Sequence, residues 1–239
     1  MGRNEVRILL SNLLAPGEET DTAGQEKICL ASADADQVLE AVNSRRLYCA
    51  AKRGIDILFV LLGGPAVFLV IAVAAVAIMC SMGRPIFFVQ ERVGYRGRVF
   101  RMWKLRTMKV DPEAAAIATS ANDDRITPLG RFLRLSHLDE LPQLWNILRG
   151  DMTLIGPRPE QVPLVEIYRR SLPHYELRHF VRPGLSGWAQ VRYGYAETLP
   201  DTRRKLEYDL FYLLNFGPEL DLKITALTFA VLRDPAFVR

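Results

Sequence analysis

Two adjacent carboxylates, Asp139 and Glu140, stand in the stretch LSHLDELPQLWNIL, where a run of apolar residues begins. One interpretation is structural, because Ser136 and Asp139 have the spacing of a capping box and Pro142 is tolerated in a first helical turn. The other interpretation is chemical, because a helix dipole keeps a nearby carboxylate ionised and available as a nucleophile or a metal ligand. The spacing alone leaves both interpretations open.

A second candidate for chemistry is the tetrapeptide GPRP, in which Pro157 and Pro159 restrict the backbone on both sides of Arg158. A guanidinium on a rigid backbone suits bidentate binding of a phosphate group. The alternative is an ordinary polyproline turn that carries an exposed arginine.

Histidine and cysteine do not form a recognisable metal site in the sequence. The histidines are His137, His174 and His179. The cysteines are Cys29, Cys49 and Cys80. Neither set has the spacing of a metal site, and the cysteines have no paired spacing, so we expect a reducing compartment and no disulfide framework.

These residues must be positioned by the rest of the chain, whose dominant feature is an uncharged apolar segment at residues 57–83. As a straight helix it would reach ~40 Å, more than the ~30 Å hydrocarbon core of a bilayer, so we predict a membrane segment. Gly63, Gly64 and Pro65 interrupt it, and proline beside glycine favours a bend.

Positive charges flank both ends of this segment and bear on its topology. The basic residues before it are Arg45, Arg46, Lys52 and Arg53, and those after it are Arg84, Arg92, Arg96, Arg98 and Arg101. Positive residues favour the cytoplasmic side, and here both flanks qualify. A segment that enters the membrane, bends at Gly-Gly-Pro and returns satisfies both flanks, whereas a kinked spanning helix is the alternative.

We expect three regions: an N-terminal extension at 1–44, weakly ordered or a short helix; a re-entrant membrane segment at 45–84; and a cytosolic and interfacial catalytic domain at 85–239. In the third region, the basic stretch PIFFVQERVGYRGRVFRMWKLRTM predicts a β-hairpin that faces lipid headgroups and phosphates. The stretches TRRKLEYDLFYLLNFG and ELDLKITALTFAVLRDP predict helices whose apolar faces pack in the core or enter the lipid interface. The predicted fold class is α+β, mainly α.

The formal net charge of +4 and the isoelectric point of about 9.0 suggest nucleic acid, anionic lipid or phosphorylated substrates as partners. A nucleic-acid partner rests on the isoelectric point alone and leaves the apolar segment unexplained, so we expect none.

Six segments follow one another along the chain: KRGIDI, KLRTM, SHLDELPQLWNILRGDM, IGPRP, RPGLSGWAQV and EYD. In this order they resemble the bacterial sugar transferases, the monotopic phosphoglycosyl transferases that begin glycoconjugate assembly. The resemblance covers roughly residues 46–234. It implies a re-entrant helix–break–helix, interfacial amphipathic helices and a small cytosolic catalytic region at the cytoplasmic face of the bacterial inner membrane.

The resemblance also implies an activity, namely transfer of a sugar 1-phosphate from a nucleotide diphosphate sugar, usually UDP-linked, to a polyprenol phosphate. The products are a polyprenyl diphosphate sugar and UMP, and Mg²⁺ is required. Asp139 and Glu140 then form the catalytic dyad and hold the metal, with Asp139 as the nucleophile of a covalent aspartyl-phosphosugar intermediate. Arg134 and Arg158 bind the substrate phosphates.

At the membrane break the family often has Ser-Pro, where this chain has Gly64-Pro65, so a hydroxyl contribution to the bend is absent. The implied partners are polyprenol phosphate, a nucleotide sugar and an anionic phospholipid membrane, and a homodimer is a further candidate assembly.

Two alternatives stay open. One is direct in-line transfer between the two substrates, with the dyad only holding metal. The other is a non-catalytic basic membrane scaffold, which explains the anchor and the charge but not the ordered motifs.

Overall fold

The computed structural model of the chain describes residues 34–109, 124–193 and 198–232. Within these ranges the fold is mainly helical with two small sheets, which confirms the predicted mainly α class with a minor β part. The helices are α1 (Ala35–Ser44), α2 (Arg46–Met82), α3 (Pro128–Leu135), α4 (Gln143–Arg149), α5 (Val162–Ser171), α6 (Trp188–Tyr193), α7 (Leu199–Asn215) and α8 (Pro218–Val231). The strands are β1 (Phe87–Val93), β2 (Val99–Leu105), β3 (Thr153–Ile155) and β4 (Gly184–Ser186).

Helix α1 occupies the last part of the predicted N-terminal extension. The Asp34 side chain caps it by accepting a hydrogen bond from the Asp36 amide at 2.9 Å. Val38 is fully buried in the same apolar cluster as Leu206 and Leu210 of α7. The end of the extension is therefore a packed helix, and the earlier part of the extension, residues 1–33, lies outside the described residues.

Helix α2 contains the predicted membrane segment and runs without interruption through Gly63, Gly64 and Pro65. The predicted break is therefore not a break in helical structure, because the helix continues on both sides of the hydrogen bond that Pro65 cannot donate. Of the described helices, α2 is the one long and apolar enough to cross a membrane. Large apolar side chains such as Leu62 and Phe68 are exposed along it, as in a helix that lies in a membrane.

Both parts of α2 contact the same globular region. Val60 shares a buried cluster with Met102 of β2, and Ala74 and Ile78 share another with Leu105 of the same strand. The helix is therefore packed against the globular region both before and after Pro65.

The predicted β-hairpin is confirmed, since β1 and β2 pair antiparallel with Val93 opposite Val99. A short 3₁₀ turn at Tyr95–Gly97 joins them. The buried Asn146 of α4 fastens the hairpin, accepting a hydrogen bond from the Trp103 amide at 3.2 Å and donating to the Arg101 carbonyl at 2.7 Å. The backbone of β2 is therefore held directly against the helix that follows the dyad.

The remaining elements form the main core. Strands β3 and β4 pair in parallel with Thr153 opposite Gly184. A Cβ at Gly184 would lie 2.1 Å from the backbone nitrogen of Gly156, so this close approach requires glycine. The RPGLSGWAQV stretch thus forms β4 and the start of α6, and Trp188 is buried among side chains of α7 and α8.

Candidate active site

Neither of the two helices that flank the dyad is capped as the Ser136–Asp139 spacing predicted. Ser136 ends α3, because its hydroxyl donates to the Phe132 carbonyl at 2.8 Å. Helix α4 begins after Pro142, which makes no side-chain cap. Asp139 accordingly caps neither helix, and the structural interpretation of the Ser136–Asp139 spacing is wrong. A serine hydroxyl can donate to a carbonyl of the preceding helix or accept from an amide of the following helix, and here it donates to the preceding helix.

The dyad lies on a 3₁₀ turn, Leu138–Glu140, between α3 and α4. His137 immediately before it has a left-handed backbone with φ 54°, an uncommon conformation for a residue other than glycine, and this reverses the chain after α3. Asp139 is only 8% exposed, and Nε2 of His137 is buried without a hydrogen-bond partner among the described residues. The turn and the residue before it thus contain a buried carboxylate and a buried imidazole nitrogen that has unused hydrogen-bonding capacity among the described residues.

Glu140 is held by two cations. Nζ of Lys104 donates to Glu140 Oε1 at 2.7 Å. The Arg158 guanidinium donates to Oε1 at 2.6 Å and to Oε2 at 3.4 Å, which is a two-pronged contact. Burial alone would raise the pKa of Glu140, but the charges of Arg158 and Lys104 outweigh it and hold that pKa well below its usual range. Glu140 is therefore charged at neutral pH and is held in one orientation by its two partners.

Asp139 has the opposite surroundings. Within the described part of the chain its carboxylate makes no hydrogen bond and no ion pair. Burial raises its pKa to about 6, and the Glu140 charge adds to this, while Lys104, Arg134 and Arg158 oppose it. At neutral pH the group is mostly ionised but not neutralised by direct contact, which is the condition of an available nucleophile or metal ligand.

The two arginines predicted to bind phosphate lie in this site. The backbone of Arg158 is fixed, because its carbonyl accepts a hydrogen bond from Arg178 at 2.8 Å and Arg178 forms a buried ion pair with Asp209 at 2.7 Å. Nε of Arg134 donates to Thr107 Oγ1 at 2.9 Å. The structure therefore brings Arg134 and Arg158 together with the dyad, while Gly63, Gly64 and Pro65 lie in the middle of α2.

Lys104 is the site residue to which the sequence analysis assigned no role. It lies in the KLRTM segment, on the same face of β2 as the buried Met102. Residues two apart along a strand lie on the same face, so Lys104 is predicted to point inward with Met102. A cation that points inward needs an anionic partner, and this requirement could have identified Lys104 from the sequence.

The donors at this site suit Mg²⁺ in one particular way. The described residues contain no group of three or more histidine, cysteine, aspartate or glutamate side chains that could enclose an ion. Mg²⁺ commonly uses one or two carboxylates and takes its remaining oxygens from substrate phosphates and water. Asp139 and Glu140 fit that pattern, and Asp139 is the less engaged carboxylate.

Comparison of the sequence with known proteins shows the family to which the chain belongs. The family model described as "Bacterial sugar transferase" matches residues 47–234. The chain is 43% identical over 183 residues to the UDP-N-acetylgalactosamine-undecaprenyl-phosphate N-acetylgalactosaminephosphotransferase of Aeromonas hydrophila, covering 76% of this chain and 43% of that protein. It is 40% identical over 162 residues to the UDP-glucose:undecaprenyl-phosphate glucose-1-phosphate transferase of Escherichia coli (strain K12), covering 66% and 35% respectively.

A protein of the same name from Caulobacter vibrioides is 42% identical over 158 residues, which cover 65% of this chain and 59% of that protein. The chain therefore spans between 35% and 59% of the length of these three curated relatives. Because the family model covers most of the chain, the protein belongs to the bacterial sugar transferase family.

Proposed function

We propose that this protein transfers a sugar 1-phosphate from a UDP-sugar to a polyprenol phosphate, through a covalent intermediate on Asp139. The observation that carries the proposal is the contrast within the dyad, where Glu140 is bound by two cations and Asp139 is buried, ionisable and without a direct partner among the residues that the structure describes. The names of the relatives support the two substrates, since those proteins are UDP-sugar transferases that act on undecaprenyl phosphate. This is the first membrane step of glycoconjugate or exopolysaccharide assembly.

In the first step an Asp139 oxygen attacks the phosphorus that carries the sugar, and the bond from that phosphorus to the UMP oxygen breaks. In the second step an oxygen of the lipid phosphate attacks the same phosphorus, and release of the Asp139 oxygen restores the carboxylate. No proton has to move in either step, so an ionised Asp139 is the only protonation requirement on the dyad.

The basic residues reduce the repulsion between the attacking carboxylate and the anionic diphosphate. Lys104 and Arg158 keep Glu140 neutralised, so the dyad presents one uncompensated negative charge rather than two. Arg134 and Arg158 are near enough to lower the pKa of Asp139, and the same charges stabilise the phosphoryl oxygens in the transition state. Asp139 and Glu140 are the residues that would hold Mg²⁺, and the ion would supply further neutralisation of the negative charge on the diphosphate.

Exposed apolar side chains beside the site support a lipid acceptor. Phe132 and Leu135 of α3, Trp145 of α4 and Phe88 of β1 are each about half exposed or more. Exposed apolar side chains of this kind are stabilised when they contact the boundary between the lipid headgroups and the acyl chains of a membrane. The dyad then lies at the depth of the lipid phosphates, which is also the depth of the phosphate group of a polyprenol phosphate.

The covalent step is tested by omitting the acceptor. Purified protein, Mg²⁺ and the correct UDP-sugar from a panel are expected to release about one UMP per active site and then stop. Intact-protein mass spectrometry should show a phosphosugar adduct on the peptide that contains Asp139. Hydroxylamine should remove it, because acyl phosphates react with that reagent, and polyprenol phosphate should discharge it into lipid product.

Asp139→Asn is the matched control, since it keeps the shape of the side chain and loses the attacking charge, so no adduct should form. Glu140→Gln keeps Asp139 and should form the adduct slowly. Transfer to lipid without any adduct or acceptor-independent UMP would favour direct in-line transfer. Absence of transfer with every UDP-sugar would favour a non-catalytic scaffold.

We also propose that α2 is re-entrant, with both ends on the cytoplasmic face of the inner membrane. A bend near Pro65 is supported by the two glycines beside the proline, and by the burial of Val60 and Ile78 in clusters of the globular region on either side of it. The test places single cysteines by Arg45→Cys and Arg98→Cys in a background in which the three native cysteines are replaced by serine. Neither cysteine should react with an impermeant thiol reagent in intact cells, and both should react after lysis.

Labelling of the first cysteine alone in intact cells would show a spanning helix instead. Pro65→Ala restores a helical hydrogen bond and is expected to shift α2 towards the straight form, so that the first cysteine becomes labelled in a fraction of the molecules.

A further inference from the structure

A cavity of about 380 Å³ lies apart from the dyad, between the start of α2, the hairpin turn and the segment that leads into β4. We call it the basic cavity because five cationic side chains line it: Arg46, Lys52, Arg53, Arg96 and Arg182. The dyad and its two arginines do not line it. The cavity and the dyad lie at opposite ends of the hairpin. The turn at Arg96 borders the cavity. Lys104, which contacts Glu140, lies ~16 Å along β2 from Val99, the first residue of that strand.

The charges around the basic cavity do not cancel. One carboxylate lines it, that of Asp56, and this group is taken up by hydrogen bonds from the Thr153 hydroxyl and the Leu154 amide. A second carboxylate, Asp221, pairs with Lys52 from outside the lining. Five cations against two carboxylates leave a positive potential in a space of limited dielectric, which attracts an anion.

Two of these cations have donors to spare. Nε of Arg182 donates to the Gly150 carbonyl at 3.0 Å and its guanidinium stacks on the Tyr95 ring, so both terminal nitrogens are without a partner among the described residues. Arg96 stacks on the same ring from the turn and makes no hydrogen bond in the described part of the chain. By contrast Arg53 is used structurally, because it donates to the Ile147 and Leu148 carbonyls at the end of α4.

We propose that the basic cavity binds a phosphate-bearing anion, which is either the headgroup of an anionic phospholipid or a soluble phosphate ester. Guanidinium pairs with free terminal nitrogens are the groups that recognise phosphate oxygens. The side chains of α2 that line the cavity end at Asp56, directly before the uncharged stretch at 57–83, and Ile55 and Leu58 are already exposed apolar residues. This places the cavity at headgroup depth and favours the lipid source.

Cys49 offers a direct readout because its thiol is half-buried and lines the basic cavity. Burial raises the pKa of that thiol, and the charges of Lys52 and Arg182 oppose the rise. A bound anion blocks access to the thiol and also weakens that opposition, so it slows alkylation in two ways. In a Cys29→Ser, Cys80→Ser background Cys49 is the single thiol, and intact mass reports its alkylation by a maleimide.

The experiment uses the full chain in a nonionic detergent without any sugar nucleotide, so its result is independent of the proposed transfer. The probes are dihexanoyl phosphatidylglycerol, dihexanoyl phosphatidylcholine, inorganic phosphate and sn-glycerol 3-phosphate, with potassium chloride at matched ionic strength. Phosphatidylglycerol at saturation is expected to slow alkylation of Cys49 at least about tenfold. Protection by the two soluble phosphates as well would assign the site to soluble phosphate esters.

Arg96→Gln and Arg182→Gln should each raise the half-protecting concentration about tenfold. Arg96 is an exposed turn residue, so its variant keeps the fold even where the Arg182 variant does not. Arg98→Gln is the matched control, because it removes an exposed charge from the same turn outside the cavity and should leave protection unchanged. The proposal is overturned if no phosphate probe protects Cys49, if phosphatidylcholine protects equally well, or if the three variants lose protection to the same extent.

Discussion

Replacing Lys104 with glutamine is predicted to shift the pH dependence of the first chemical step to higher pH. Lys104 is the cation that lowers the pKa of Asp139 most, against a larger effect of burial. With Lys104 in place that pKa is about 6. Without it the carboxyl stays buried beside the charged Glu140, so its pKa rises further.

The size of the shift follows from the usual effect of one neighbouring charge, which is ~1–3 pKa units. The smallest of these values moves the pKa of Asp139 to about 7. The ionised fraction at pH 6 then falls from about one half to about one tenth, so the rate of attack falls about fivefold there. The reaction needs the carboxylate, hence the difference between variant and native protein disappears as the pH rises well above both pKa values.

The measurement is the second-order rate constant of acceptor-independent UMP release at low UDP-sugar concentration, taken between about pH 5 and 9. This half-reaction excludes the polyprenol phosphate, whose own phosphate monoester titrates near neutral pH. The diphosphate of the UDP-sugar does not titrate in this range, so the acid limb of the profile reports a group on the free protein.

Lys104→Arg is the matched control, because it keeps the positive charge beside Glu140 and should keep the acid limb near pH 6. An equal acid limb in the glutamine and arginine variants would refute the reasoning, since the titrating group would then not sense the charge of Lys104. Asp139 would not be that group.

Three further changes test separate parts of the structure. Arg158→Lys keeps a charge but loses the two-pronged contact with the dyad glutamate, so the transfer rate should fall about 10–100-fold with an unchanged circular dichroism spectrum; near-native activity would make Arg158 a structural turn residue. Asp209→Asn leaves the buried Arg178 charge without its partner and should lower the free energy of unfolding in chemical denaturation by about 3 kcal/mol; a change below about 1 kcal/mol would show that water or a neighbour replaces the pair. Gly130→Ala puts a Cβ at 1.8 Å from the Thr107 carbonyl oxygen, so α3 must move, and both thermal stability and transfer should decrease; native values for both would contradict this close approach.

Much of this protein follows from local sequence patterns. The alternation and turn residues of residues 85–108 predict the hairpin, because strand pairing across a short turn needs only neighbouring residues. The uncharged stretch at 57–83 predicts a membrane helix by length and composition alone. The order of the motifs around Asp139 and Arg158 identifies the family and its candidate site residues.

Where the local signals fail, two physical effects compete within the same few residues. Ser136 fits a cap for the following helix, but its hydroxyl bonds to a carbonyl of the preceding one. The Gly63–Gly64–Pro65 stretch predicts a break, yet a proline removes one hydrogen bond from a long ladder and the helix continues. Neither outcome is decided by residue type alone.

The different roles of the two carboxylates are decided by the tertiary structure. Asp139 and Glu140 are adjacent and chemically alike, but in the described part of the chain Lys104 and Arg158 hydrogen-bond to Glu140 and not to Asp139, from positions 36 residues before Glu140 and 18 residues after it. The basic cavity likewise joins residues of α1, α2, the hairpin turn and the approach to β4. Burial and charge pairing between distant segments arise only when those segments pack, and they set which group is neutralised and which stays reactive.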